Sequence, residues 1–154
     1  MEKIRVEFRV NNETVSLLVR PYETLLETLR EQLELRSVKE ACGLGGCGCC
    51  TVLFDNRPIR SCLILTAGAE GASITTIEGL SQGNELHPLQ EAFIESGAVQ
   101  CGFCTPGMIL TLKSLLDRSP TPTKEEIVKT LSSNLCRCTG YVKMIEAVKA
   151  ATKG

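Results

Sequence analysis

The sequence predicts an α+β fold, with a strand-rich first half, a helical second half and cysteine-rich connections. Three observations predict it. Residues 3–19 alternate apolar and polar with a period of two. After Gly83 the apolar residues recur at helical spacing. Nine cysteines, at 42, 47, 49, 50, 62, 101, 104, 136 and 138, gather between the predicted elements.

In the first stretch Ile4, Val6, Phe8 and Val10 point one way and the charges the other. Asn11-Asn12 tolerates left-handed backbone and makes a tight turn. Val15, Leu17 and Val19 resume the alternation, so residues 3–19 read as a β-hairpin that Pro21 stops. Thr24 and Glu27 form a capping box, and Leu25, Leu26, Leu29 and Leu33 share one face of the helix it opens. A strand is expected at residues 51–54, a turn at Asp55-Asn56, a short partner at 58–60, and a strand near 73–77 that closes the sheet.

The second half reads as four helices. Residues 86–96 carry Leu86, Leu89, Phe93 and Ile94. Thr105 as cap and Pro106 in the first turn open a helix to about Leu116. Pro120 and Pro122 break the chain, and Thr123 with Glu126 caps a helix to about Leu131. Tyr141, Ile145 and Val148 mark the last. Four such helices pair into a small bundle. The expected domains are residues 1–78 and 79–154.

Composition narrows the partners. The 17 basic and 18 acidic residues nearly cancel, there is no Trp, and no basic run marks a surface for nucleic acid or anionic lipid. No apolar run approaches the roughly 20 residues that span a bilayer. The opening MEKIRVEFRV lacks the apolar stretch of a secretory leader. A cytoplasmic protein with reduced thiols is expected, and the odd cysteine count argues with it against disulfides.

Metal or cluster ligation is therefore the better use of the sulfur. The first group is Cys42-x4-Cys47-x2-Cys50, then Cys62 eleven intervening residues later. This is the plant-type spacing for a 2Fe–2S cluster. Gly43, Gly45, Gly46 and Gly48 let the backbone wrap a compact core and present amides to sulfur. Cys49 is spare: either a small residue packed beside the loop, or a ligand in place of Cys47 or Cys50. The second group is Cys101-x2-Cys104 with Cys136-x-Cys138. It suits a second cluster, and structural zinc stays open, although a Cys-x-Cys arm is a tight bite for zinc. His87 reads as a surface residue near a helix start, Gln100 as a polar loop residue, and Arg137 as a solvated charge or a cation beside an anionic cluster. No nucleophile–base pair or phosphate loop is evident, so no catalytic residue is expected.

Three stretches, CGLGGCGCCTV from Cys42, QCGFCTPGM from Gln100 and NLCRCTG from Asn134, together resemble the iron–sulfur subunit of the molybdenum hydroxylase family. That family includes xanthine dehydrogenase, aldehyde oxidoreductase and carbon monoxide dehydrogenase. The resemblance implies a β-grasp, ferredoxin-like domain and a four-helix bundle, each with a 2Fe–2S cluster. Cys42, Cys47, Cys50 and Cys62 would hold the first, and Cys101, Cys104, Cys136 and Cys138 the second.

The same resemblance implies partners. A large subunit would carry molybdopterin, as a dinucleotide, and a medium subunit FAD, in a dimer of heterotrimers. The second cluster would lie toward the pterin, with Gln100 hydrogen-bonding it and Cys138 touching its edge, and the first toward the flavin. The chain ends after the bundle, so molybdenum and flavin domains are expected on separate polypeptides. The expected role is electron relay for a hydroxylase whose substrate is an N-heterocycle such as a purine or nicotinate. The rival is a free-standing two-cluster ferredoxin, which the near-zero net charge disfavours. Cys49 departs from the pattern the resemblance implies, a small residue such as Ala at this place.

Overall fold

The predicted hairpin forms as read. Strands β1 (Ile4–Val10) and β2 (Glu13–Val19) pair antiparallel from Ile4–Val19 to Val10–Glu13. Asn11 and Asn12 turn the chain with φ of 50° and 74°, the left-handed pair that matches strand twist. Val6, Phe8 and Val10 are buried, whereas Ile4, at the open end, is 37% exposed rather than inside. A computed structural model describes residues 2–81, 83 and 85–152. Met1, Gln82, Asn84, Lys153 and Gly154 lie outside the described residues, and with them the outer ends of the two expected domains.

Both arms of the capping box at Thr24 and Glu27 are made. Helix α1 (Leu25–Glu27) does not stay α-helical, as the leucine spacing predicts, but widens into a π-turn over Thr28–Gln32. Thr28 is wholly buried there, its hydroxyl 2.7 Å from that of Thr66. Leu25, Leu26 and Leu29 all remain inside.

Strands β3 (Thr51–Phe54), β4 (Arg57–Arg60) and β5 (Ser73–Thr75) complete a sheet of order β2-β1-β5-β3-β4. β5 does not close an edge, as expected, but lies in the centre, parallel to β1 and antiparallel to β3. It stops at Thr75 because the Thr76 amide turns away to Asn11 Oδ1, at 2.9 Å.

β3 is buried at Thr51, Val52 and Leu53, and both its faces are covered. Strand alternation sends Val52 into a core with Phe8, Leu25, Leu29 and Ile74. It sends Leu53 into the other core, with Phe93, Met108, Leu112 and Met144. The helices therefore pack on the back of the sheet, and each such leucine contributes about 1.5–3 kcal/mol by leaving water.

Helix α2 (Pro88–Glu95) starts later than its apolar residues suggest, since Pro88 sets its first turn. Leu86 and Ile94 are accordingly 41% and 63% exposed. His87 is no bare surface residue. It caps α2, its Nδ1 accepting from the Leu89 amide at 3.2 Å. Helix α3 (Thr105–Arg118) is capped one residue earlier than read: Cys104 holds the cap position, and Thr105-Pro106 are the first helical residues. Helix α4 (Lys124–Leu131) carries the predicted Thr123–Glu126 capping box. Helix α5 (Val142–Ala151) follows Tyr141, whose φ is 69°. Among the described residues these four helices form the bundle.

Two candidate metal centres

The first centre is the loop from Cys42 to Cys50, between the π-turn and β3, closed by Cys62 in the turn Ser61–Leu63 after β4. Backbone amides converge on sulfur as the glycine-rich loop predicts. Those of Leu44 and Cys47 lie 3.4 and 3.5 Å from Cys42 Sγ. They draw the Cys42 thiol down to about 6, the Leu44 amide most of all. The Gly45 amide bonds Cys62, where burial still pushes the thiol up to about 11. Cys50 Sγ and Cys62 Sγ stand 3.4 Å apart. Ser61, fully buried, holds that pair by donating its hydroxyl to Cys50 O at 2.7 Å.

The second centre lies where α3 and α5 begin. Cys101 Sγ and Cys138 Sγ stand 3.5 Å apart on the exposed side. Cys104, buried at the start of α3, pairs with Cys136. Burial pushes the Cys104 thiol up to about 12. At Cys136 burial acts the same way, but the Thr139 hydroxyl at 3.2 Å and amide at 3.4 Å outweigh it and lower the thiol. All four thiols line a cavity of about 400 Å³, with Cys49 and Phe103.

The donor set fits a 2Fe–2S cluster at each place. All nine cysteines are free thiols, and each group stands as two close pairs, the arrangement that suits two tetrahedral irons. Gln100 is exposed beside Cys101, and Cys138 is exposed next to the exposed Arg137. Cys49 is 6% exposed and packs beside Cys47 of its own loop as well as into the helical core.

The residues that hold the two centres together escaped the reading of the sequence. Asn134, 1% exposed, donates its side-chain amide to Gly48 O at 2.8 Å. Its Oδ1 lies 3.0 Å from the Thr111 hydroxyl and 2.9 Å from that of Ser133. The Leu135 amide donates to Cys47 O at 2.8 Å. Arg60 donates to Thr51 Oγ1 at 2.7 Å and to Ser133 O. At Gly107 the helix touches the loop so closely that a Cβ would sit 2.5 Å from Gly48 O. The position of Asn134 directly before Leu-Cys-Arg-Cys was the only available signal.

A mixed sheet grasping a short helix, a bundle behind it and two sets of paired thiols define a two-centre iron–sulfur electron carrier. The family described as 2Fe-2S iron-sulfur cluster binding domain matches residues 8–73, and that described as [2Fe-2S] binding domain matches residues 76–149. The first span contains Cys42 to Cys62 and the second Cys101 to Cys138.

The chain is 48% identical to the nicotinate dehydrogenase small FeS subunit of Eubacterium barkeri over 99% of its own length and 98% of that protein's. It is 47% identical to the xanthine dehydrogenase iron-sulfur-binding subunit of Escherichia coli O157:H7, over 96% and 93%. Among solved structures it superposes on quinoline 2-oxidoreductase from Pseudomonas putida 86 with a TM-score of 0.96 and 43% identity, covering 99% of this chain and 96% of that one. The chain belongs to the small iron–sulfur subunits of the molybdenum hydroxylase family. It carries two 2Fe–2S clusters and is the electron-transfer subunit of an oxidoreductase complex with larger partner subunits, on which molybdopterin and flavin reside. No described helix is long and apolar enough to cross a membrane.

Proposed function

We propose that Cys42 and Cys47 hold one iron of the first cluster and Cys50 and Cys62 the other. In the second cluster Cys101 with Cys138 and Cys104 with Cys136 divide the irons the same way. The carrying observation is the pairing itself, at 3.4 Å for Cys50–Cys62 and 3.5 Å for Cys101–Cys138. When bound, the clusters supply one-electron chemistry at potentials set by charge and hydrogen bonds to sulfur. The chain holds the thiolates, directs amides at them and fixes the separation of the two centres through Asn134, Leu135 and Gly107.

The wider reading is a relay. Electrons enter at the exposed Cys138 edge, where Gln100 and Cys138 face a molybdopterin dinucleotide on a large subunit. They leave from the first loop toward FAD on a medium subunit, in a cytoplasmic dimer of heterotrimers. Residues 1–78 and 79–154 are its two domains, the first housing one cluster and the second the other. Exposed Leu44 and Leu63 beside the first centre, and Phe103 and Leu135 beside the second, support two separate docking faces. The substrate is an N-heterocycle, consistent with relatives that are a nicotinate dehydrogenase and a nicotine 6-hydroxylase.

Iron, sulfide and zinc per chain, with EPR of the dithionite-reduced protein, test the ligand set. Two distinguishable 2Fe–2S signals without zinc are expected, together with co-purification of a molybdenum-containing subunit. Zinc in place of the second signal would overturn it.

A further inference from the structure

Cys49 belongs to the first loop by sequence, where its thiol neighbours Cys47, and it also faces the second centre. Its neighbour Cys50 packs in the sheet core, but Cys49 packs in the helical core together with Cys104 and Met108. It also lines the cavity formed by Cys101, Cys104, Cys136 and Cys138. The cause is local. Gly48 and Gly107 meet without side chains, so the loop leans onto the start of α3, and Cys49 O lies only 3.5 Å from where a Gly107 Cβ would be. The wall dividing the two centres is thus made by a fifth, 94%-buried thiol that the spacing of the ligands does not require.

We propose that Cys49 is a positioning residue for the second cluster, its S–H directed at cluster sulfur from the side of the first centre and raising the second cluster's potential. The inference rests on the ligand set proposed above. Reduction adds negative charge to a cluster, and a donor to its sulfurs stabilises that charge. A thiol is a weak donor, a hydroxyl a stronger one and a methyl none. The first loop therefore tunes the driving force at the neighbouring centre.

The test is a redox titration of the full chain followed by EPR, in wild type, Cys49→Ala and Cys49→Ser. All three are expected to keep the wild-type iron content and both signals. In Cys49→Ala the reduced-to-oxidised ratio of the second signal at a fixed potential should fall about threefold to tenfold, tenfold being 59 mV for one electron. The first signal should move less. Cys49→Ser should restore the ratio to the wild-type level or above it. Equal shifts in the Ala and Ser variants reveal a packing effect and overturn the proposal, as does a shift confined to the first signal or no shift. Loss of iron in Cys49→Ala overturns it by making Cys49 a ligand. A second signal that survives in Cys101→Ser instead overturns the ligand set beneath it.

Discussion

The Asn134 side-chain amide donates to the Gly48 carbonyl, 86 positions away, at 2.8 Å. This bond ties the loop of the first centre to the turn that carries Cys136 and Cys138. Asn134→Ala removes this bond while Gly48 O keeps Thr51 and the Thr111 hydroxyl keeps Gly107 O, so the cost is about 0.5–1.5 kcal/mol. Denaturant unfolding will show the loss. Spin–spin splitting in EPR of the fully reduced protein should change in the same variant, because the separation of the clusters is no longer pinned.

Gly107→Ala should also destabilise, which is the opposite of what a glycine inside a helix leads one to expect. In an open helix the change gains about 0.5–1 kcal/mol. Here the new methyl would meet a backbone oxygen at 2.5 Å, with Gly48 unable to swing aside. Overpacking of this kind costs about 1–3 kcal/mol. A thermal melt at or above the wild-type value would contradict the contact.

Cys101→Ser should lose the second EPR signal and about half of the iron while keeping the first signal, as two separate clusters require. Its melting should fall, since Cys101 and Cys138 join the entrances of α3 and α5. Full iron content with unchanged melting would remove Cys101 from the ligand set.

His87 predicts a pH dependence. Burial, and then the nearby Lys113, hold its imidazole below the ordinary value of 6.5, while Asp117 opposes them weakly. The unfolded chain thus binds the proton more readily. Stability from this cap is complete above pH 6.5 and declines as pH falls from there through the folded value. Protonation at Nδ1 also removes the acceptor for the Leu89 amide. His87→Asn caps without titrating, so its melting temperature should fall less than that of wild type between about pH 7.5 and 5.5.

Much of this was legible because the signals were local. The Asn11-Asn12 turn, the capping boxes at Thr24 and Thr123 and the alternation in β1 each depend on residues within a few positions. The cysteine groups were legible for a chemical reason, since few spacings wrap a compact cluster. What could not be read was non-local. Nothing near Ser73 says that β5 lies between β1 and β3, and nothing near Cys49 says that it also lines the cavity of the opposite centre. The π-turn after Glu27 answers to Thr66, far along the chain. His87 was rightly placed near a helix start, but its capping role was missed because a histidine cap needs Pro88 and Gln90 to be seen as one unit.

Strand β3 has a consequence for how the molecule comes apart. Val52 completes one core and Leu53 the other, so a single extended segment is common property of both halves. Heat cannot strip the housing from one cluster and leave its neighbour whole. Calorimetry should record one cooperative transition, and both centres should bleach together rather than in sequence.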